Sequence, residues 1–424
     1  MAGRFDFAMA VFVISLEPLA RDLLPGRDHG AIVFEGIQKM TVSKSRAWFA
    51  GAALAIVGLA CPVAALAEPM TTPAMTWPLA ANPNPTTIDA GPLGNVYVTG
   101  AISGVGYTQD AAVGSAVDAR ADISNAQAFV QSTEGPVQFF AQFGGYSFGT
   151  VGVPYTKAPD NTKNAFGFMP QAVVKLVPSD NVSIMIGKLP TLIGVETSFT
   201  FQNANISRGQ LWNQENLVNR GVQVNWASGP LSISAALNDG FYSDKYTWGS
   251  ALVSYAVNEN NVIAFAGGAN FDDEVDVATS ATPVLQNNSE IYNLIWTHTN
   301  GPLTILPYFQ YTKVPAMPSL GVTEEATTTG YAVIGKYSFS DTFSLAGRFE
   351  HISTDGGTST NLLYGPQSKA TAFTLTPTFQ KGTFFVRGER AYIKIDDFAA
   401  GSGLGPNGTD KSQTRALIET GILF

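Results

Sequence analysis

From about residue 95 to the last residue, short stretches of alternating apolar and polar positions follow one another, separated by clusters of Gly, Asn, Asp, Ser and Pro. Strand side chains point to opposite faces with period two, so such a stretch reads as a strand with one apolar face. The last stretch is the clearest. Ala416, Ile418, Thr420, Ile422 and Phe424 share one face, and Arg415, Leu417, Glu419 and Gly421 share the other. Tight reversals fall at Thr133-Glu134-Gly135-Pro136, Pro178-Ser179-Asp180-Asn181, Ser228-Gly229-Pro230 and Asn258-Glu259-Asn260-Asn261, then at Asn300-Gly301-Pro302, Ser340-Asp341 and Lys381-Gly382. These residue types suit sharp turns for backbone reasons. Longer polar segments alternate with them, near 108–123, 150–167, 190–215, 241–247, 272–288, 315–326, 353–369 and 395–412. Seven short turns and eight long connections join sixteen strands. Their centres fall near 100, 128, 141, 173, 185, 223, 235, 252, 265, 294, 307, 333, 347, 375, 388 and 419. The turns also alternate in residue type, which hints at a four-strand repeat.

Beyond residue 67 no apolar run is long enough to cross a bilayer as a helix. In hydrocarbon every backbone N–H and C=O needs a partner, so strands cross only as a closed barrel. The expected fold is therefore all-β: a transmembrane antiparallel up-and-down β-barrel of about sixteen strands, with short periplasmic turns and longer outer loops. An even count leaves both termini in the periplasm. A soluble sandwich would bury the apolar face equally well. The chain's end favours a membrane barrel, because a terminal Phe424 after alternating apolar positions resembles the signal by which outer-membrane assembly machinery recognises barrels. Deleting Phe424 should impair assembly rather than pore properties. Phe139, Phe140, Trp226, Tyr337, Phe339, Phe343, Phe379, Phe384 and Phe385 sit beside the turns, where an interfacial aromatic girdle belongs.

The N-terminal part follows other rules. Lys44 and Arg46 precede the uncharged apolar run 47–60, and Ala65-Leu66-Ala67 places small residues before Glu68. This is a signal-peptide pattern, and it reads from Met40. The expected organisation is a mis-assigned extension over 1–39, a cleavable signal peptide over 40–67, a Pro-rich periplasmic arm over 68–94 and the barrel over 95–424. A lipoprotein reading of Cys61 is disfavoured by the residues before it, Gly58-Leu59-Ala60, and by the cleavage site after it.

Composition then narrows the chemistry. Only 13% of residues are charged, and the net charge of −9 disfavours nucleic acid, which needs a basic patch. The single cysteine, Cys61, lies in the export segment, so the exported chain has no disulfide, thiolate nucleophile or thiolate metal site. The acidic run Asp272-Asp273-Glu274 with Asp276 reads as a solvated loop rather than a cation site. No cofactor or metal is expected.

Strand parity nominates charges for the lumen: Lys175, Lys336, Arg348, Glu350, Arg387, Glu389, Arg415 and Glu419. Each alternates with apolar neighbours, and Arg or Lys facing lipid at mid-depth costs roughly 2–4 kcal/mol. They either line the pore or pair across strands. The third long loop, 190–215, contains Phe199, Phe201, Ile206 and Trp212. A loop in water needs no such residues, so it should fold inward on the lumen wall. Its Glu196 and Arg208 then face basic wall residues, either as a pore constriction with a transverse field or as tethers.

The motifs Gly187-Lys188, Gly194-Val195-Glu196, Asn205-Ile206-Ser207-Arg208-Gly209 and Arg220-Gly221-Val222 resemble the OmpL-like family of β-barrel porins. The resemblance extends over most of 95–424. It implies passive diffusion of small hydrophilic solutes or ions through the outer membrane, without naming a solute. The Pro-Glu-Phe-Gly-Gly-type constriction motif of general porins is absent, which places their selectivity in doubt for this chain. Partners so implied are the solutes, outer-membrane lipids and the barrel-assembly machinery. A homotrimer is one open oligomeric state. Three rivals stand beside the porin. A barrel with a closed lumen would act as adhesin or receptor through its outer loops. A barrel enzyme would need a nucleophile with a base in reach, and His351 near Ser353 is a poor candidate. A secreted soluble β-protein would not depend on detergent.

Overall fold

The computed structural model describes residues 79–271, 284–320, 322–356 and 364–424. The signal-peptide pattern and the acidic run at 272–276 lie outside the described residues. Sixteen strands form one ring: β2 (Asn95–Gln109), β3 (Ala119–Ser132), β4 (Val137–Tyr146), β5 (Gln171–Ser179), β6 (Val182–Pro190), β7 (Val218–Ser228), β8 (Leu231–Asn238), β9 (Trp248–Asn258), β10 (Asn261–Asn270), β11 (Glu290–Asn300), β12 (Leu303–Val314), β13 (Ala326–Ser338), β14 (Phe343–Gly356), β15 (Lys369–Lys381), β16 (Phe384–Asp396) and β17 (Ser412–Leu423). Each is antiparallel to the next, and β17 pairs with β2 to close the ring. The expected sixteen strands and their alternation of short and long connections are all present. Among the described residues no helix is long and apolar enough to cross a membrane.

Alternation sorts the side chains as the periodicity requires. Along β17, Ile418 is 57% exposed and Glu419 is fully buried. Ile102, Val174, Val222, Phe265, Leu294 and Phe373 belong to the same exposed outer belt. The belt leaves each apolar side chain facing outward between two that face the lumen. The girdle expectation needs one correction. Phe140 and Phe385 are buried, because Phe139-Phe140 and Phe384-Phe385 are adjacent pairs and period two sends only one of each pair outward. The inward members join Phe129, Phe199 and Phe201 in a cluster inside the ring.

The chain's end seals the seam. Phe424 N–H donates to the Gly100 carbonyl at 3.0 Å, and Gly100 N–H returns a bond to the Phe424 carbonyl at 2.7 Å. The Phe424 ring occupies the space a side chain at 100 would need, so Gly is required there.

Part of the Pro-rich arm is described. A short strand β1 (Thr86–Asp89) runs antiparallel to the first residues of β2, and a single 3-10 turn, Gly91–Leu93, links them. The pairing is confined to a sheet margin, where the prolines on either side do no harm. Ahead of β1, Ala80 exchanges two hydrogen bonds with the Gln380 side chain near the turn end of β15. Leu79 N–H donates to the Phe201 carbonyl of the third loop. The arm thus reaches into the mouth at the short-turn end.

Candidate functional site

The third long connection, between β6 and β7, spans 191–217 and is almost entirely buried. It ties to strands around the ring. Gly194 N–H donates to Asn293 Oδ1 on β11 at 3.0 Å. The Leu211 carbonyl accepts from Gln310 Nε2 on β12 at 3.0 Å. Asn205 Nδ2 donates to Thr376 Oγ1 on β15 at 2.7 Å. Thr200 Oγ1 donates to Glu419 Oε1 on β17 at 2.6 Å. Phe201 packs 5.6 Å from the Phe129 ring of β3, centroid to centroid. A loop with many backbone groups to satisfy away from water needs such partners, and lumen-facing polar side chains supply them.

Most of the charges nominated by strand parity converge here. Arg348 Nη1 donates to Glu196 Oε1 at 2.6 Å and to the Ser207 carbonyl at 2.7 Å. Its Nε lies 3.0 Å from Glu350 Oε2. Glu350 also accepts from the Gln210 backbone N–H. Glu389 accepts from the N–H groups of Ile206 and Ser207, at 2.5 Å and 2.9 Å. Arg387 pairs with Glu419 and donates to the Asn203 and Thr200 carbonyls, both at 2.9 Å. Arg415 meets no carboxylate. It donates to Gln109 Oε1 at 2.9 Å and to the Thr150 and Val153 carbonyls of the second outer connection at 3.0 Å and 2.8 Å. The six residues from β14, β16 and β17 therefore share one wall and hold loops against it. Charge-assisted bonds of this kind are short and strong, and a desolvated lumen strengthens them further.

Lys175 and Lys336 stand apart from this cluster. Lys336 lines a cavity of about 170 Å³ at the short-turn mouth, with Leu79, Asn203, Thr378 and Arg387. Lys175 is half-buried on the inward face of β5 and makes no ion pair among the described residues.

The two loop charges differ from each other. Glu196 is committed twice, to Arg348 and to the Gly209 N–H at 2.9 Å. Arg208 has no carboxylate partner among the described residues. Its Nη1 donates to the Ile206 carbonyl at 2.7 Å, and its guanidinium lies 5.8 Å from the Trp212 ring centroid. Its backbone bridges to Thr150, with Val151 N–H donating to the Arg208 carbonyl at 3.1 Å. Burial pushes the guanidinium down to about 10, against the pull of Glu196, Glu419 and Glu389.

Sequence reading missed Glu215. Both of its carboxylate oxygens are buried without a hydrogen-bond partner. They lie over Gly194, whose φ of +80° and lack of a Cβ make the approach feasible. Burial first, then Glu196 and Glu350, raise this carboxyl well above the usual range. No local signal marks Glu215, because its surroundings come from the loop's own fold. His351, weighed for an enzyme, shares a hydrogen bond with Thr371 Oγ1 at 2.8 Å and sits 5.4 Å from the Tyr331 ring.

The opposite side of the lumen is built differently. Inward positions of β6 to β9 carry Met185, Gln223, Asn225, Ser234, Ala236 and Leu252. None is charged, and most are only partly buried.

A family described as "Putative beta-barrel porin-2, OmpL-like" matches residues 95–424. No curated protein matches the sequence. Among solved structures, the anion-selective porin of Comamonas acidovorans is 14% identical, with a TM-score of 0.55 over 78% of this chain and 99% of that one. OmpT of Vibrio cholerae, in its trimer form, is 13% identical with a TM-score of 0.53, over 78% of this chain and 99% of that one. The outer-membrane channel DcaP of Acinetobacter baumannii is 10% identical with a TM-score of 0.50, over 78% and 97%. At these identities the likeness is one of fold.

Proposed function

The chain belongs to the OmpL-like beta-barrel porin-2 family, and from that premise we propose that it is a passive outer-membrane pore for small hydrophilic solutes or ions, narrowed by its third loop. One observation carries the reading: the loop is bonded to the charged wall of β14, β16 and β17, while the wall of β6 to β9 stays uncharged and partly exposed. A loop pinned to one side narrows a lumen without breaking ring closure. Glu196 and Arg208 are then the constriction charges. Lys175, Lys336, Arg348, Glu350, Arg387, Glu389, Arg415 and Glu419 line the lumen, six of them chiefly as anchors. Phe424 is the assembly signal, read by the barrel-assembly machinery and set among outer-membrane lipids. The trimer form of OmpT supports a homotrimer as the assembly to look for.

Single-channel recording of the purified protein in a planar bilayer tests this. Stepwise currents are expected, and deleting Phe199 to Gln210 should raise conductance while heat-modifiable gel mobility shows an intact barrel. An unchanged conductance on deletion would remove the loop, with Glu196 and Arg208, from the constriction. Replacing Glu196 with Gln should shift selectivity toward anions.

A second reading has its own support. The outer connections are tied to one another: Tyr364 Oη donates to Gln210 Oε1 at 3.2 Å, Gln286 Nε2 to the Asn213 carbonyl at 3.3 Å, and Gly405 N–H to the Ala111 carbonyl at 3.0 Å. Loops bonded together over the lumen suit an adhesin or receptor with a closed bore. Absence of any current in the wild type would favour it.

A further inference from the structure

Four arginines meet around the third loop, and in two of them, Arg387 and Arg415, every guanidinium nitrogen has an acceptor. Arg348 uses Nη1 on Glu196 and Ser207 and Nη2 on Thr374, while its Nε lies 3.0 Å from Glu350 in an ion pair without a hydrogen bond. Arg387 uses Nε on Glu419, Nη1 on Asn203 and Nη2 on Thr200. Arg415 uses Nε on Gln109, Nη1 on Thr150 and Nη2 on Val153. Arg208 is fully buried, yet only its Nη1 is engaged, on Ile206. Its Nε and Nη2 have no acceptor among the described residues.

Which two nitrogens are free matters. Nε–H and the adjacent Nη2–H lie on one edge of the guanidinium and point the same way. That edge is the fork that takes two oxygens of one carboxylate or phosphate at once. The acidic side chains nearest to it are all committed elsewhere. Glu196 serves Arg348 and Gly209, Glu389 serves Ile206, Ser207 and Thr376, and Glu419 serves Arg387 and Thr200. Among the described residues none of these three carboxylates is bonded to the fork. Trp212, whose ring lies beside this guanidinium, likewise has an indole N–H that is buried with no acceptor. Leaving a buried charged donor unmade costs more than leaving a neutral one unmade, which favours an external acceptor.

We propose that the Nε/Nη2 edge of Arg208 is a buried oxyanion subsite inside the ring, taking the carboxylate of a small organic acid, or a phosphate, through two parallel hydrogen bonds. The place of this subsite in transport rests on the pore reading, but its existence does not.

The test uses the full chain in two settings. In a planar bilayer, adding acetate at constant chloride should lower the chloride current saturably, and R208Q should abolish the saturation. R208K keeps the charge and loses the fork, so the half-saturating concentration should rise several-fold. Phosphate run in place of acetate separates the two sources of the same chemistry, and saturation by either supports the subsite. If the wild type carries no current, the pore reading fails alone. Binding is then read from the transverse relaxation of carbon-13-labelled acetate with the detergent-solubilised barrel, which should quicken with wild type and not with R208Q. Equal acetate and phosphate responses from wild type, R208Q and R208K would overturn the proposal, as would a linear response in the wild type to both anions.

Discussion

Two walls of the same lumen solve opposite problems. On β14, β16 and β17 every inward charge from Arg348 to Glu419 is buried and spent on holding a loop or a neighbouring charge. On β6 to β9 the inward residues are neutral, Trp248 packs in one apolar cluster with Ile193 of the loop, and the polar ones bond to each other, as Ser234 and Gln223 both donate to Asn225 Oδ1. The charges of β14, β16 and β17 mark where the loops are moored.

The comparison breaks first at Arg387. Replacing it with Gln leaves Glu419 buried beside a neutral partner and releases two carbonyls of the third loop, Thr200 and Asn203. Removing one member of a buried pair costs about 3–5 kcal/mol. R387Q should therefore show several-fold higher or noisier single-channel conductance and a lower unfolding temperature on heated gels. The double replacement R387Q/E419Q should recover much of the stability, because no uncompensated charge remains. If R387Q behaves as wild type in both measurements, the charged wall is not the mooring.

A smaller effect belongs to the quiet wall. Ser234→Trp places a large ring on the inward face of β8, opposite the loop. Conductance should fall while the barrel still forms, since a neutral ring on this face breaks only the bond to Asn225. The same substitution at a saturated position of the charged wall would instead disturb folding. Unaltered conductance in S234W would place the passage elsewhere.

The two walls were also unequally legible. Period-two alternation is local, so all sixteen strands and the inward parity of Arg348, Glu350, Arg387, Glu389, Arg415 and Glu419 could be read from neighbours in sequence. The apolar content of 190–215 pointed to packing for the same local reason. What alternation cannot supply is the partner. Glu196 meets Arg348 and Ile206 meets Glu389 across separations that only ring closure brings together. Phe140 and Phe385 were assigned outward from their closeness to turns, where parity should have ruled. Glu215 carried no sequence signal, because its neighbours arrive only when the loop folds back over Gly194.

Glu215 offers a milder test of the mooring, through pH. Its carboxyl is raised by burial in the folded protein, so the packed loop binds a proton that the released loop gives up at ordinary carboxylate values. Stability from this group is complete at acid pH and declines as pH climbs above the usual carboxylate range. Wild type should thus be less stable near pH 8 than near pH 5 by about 1–3 kcal/mol, the usual cost of a buried group without partners. E215Q, neutral at both values, should flatten that difference in thermal unfolding. An undiminished pH dependence in E215Q would assign it to another group.

The smallest effect is expected at Lys175, the one nominated charge on the quieter half of the ring that holds nothing. It is half-buried on β5 and makes no ion pair among the described residues. A cation with no structural duty acts on solutes only through its field. In a wet lumen that field is weak, about 1 kcal/mol for unit charges 4 Å apart in water, and salt screens it further. K175Q should leave assembly, unfolding temperature and conductance at high salt unchanged. At low salt it should move the reversal potential modestly toward cation preference. The contrast with R387Q is the point: the same loss of one positive charge is structural on the moored wall and purely electrostatic on this one. A large stability loss in K175Q would erase the division, because it would show a hidden anchor on the quieter half of the ring.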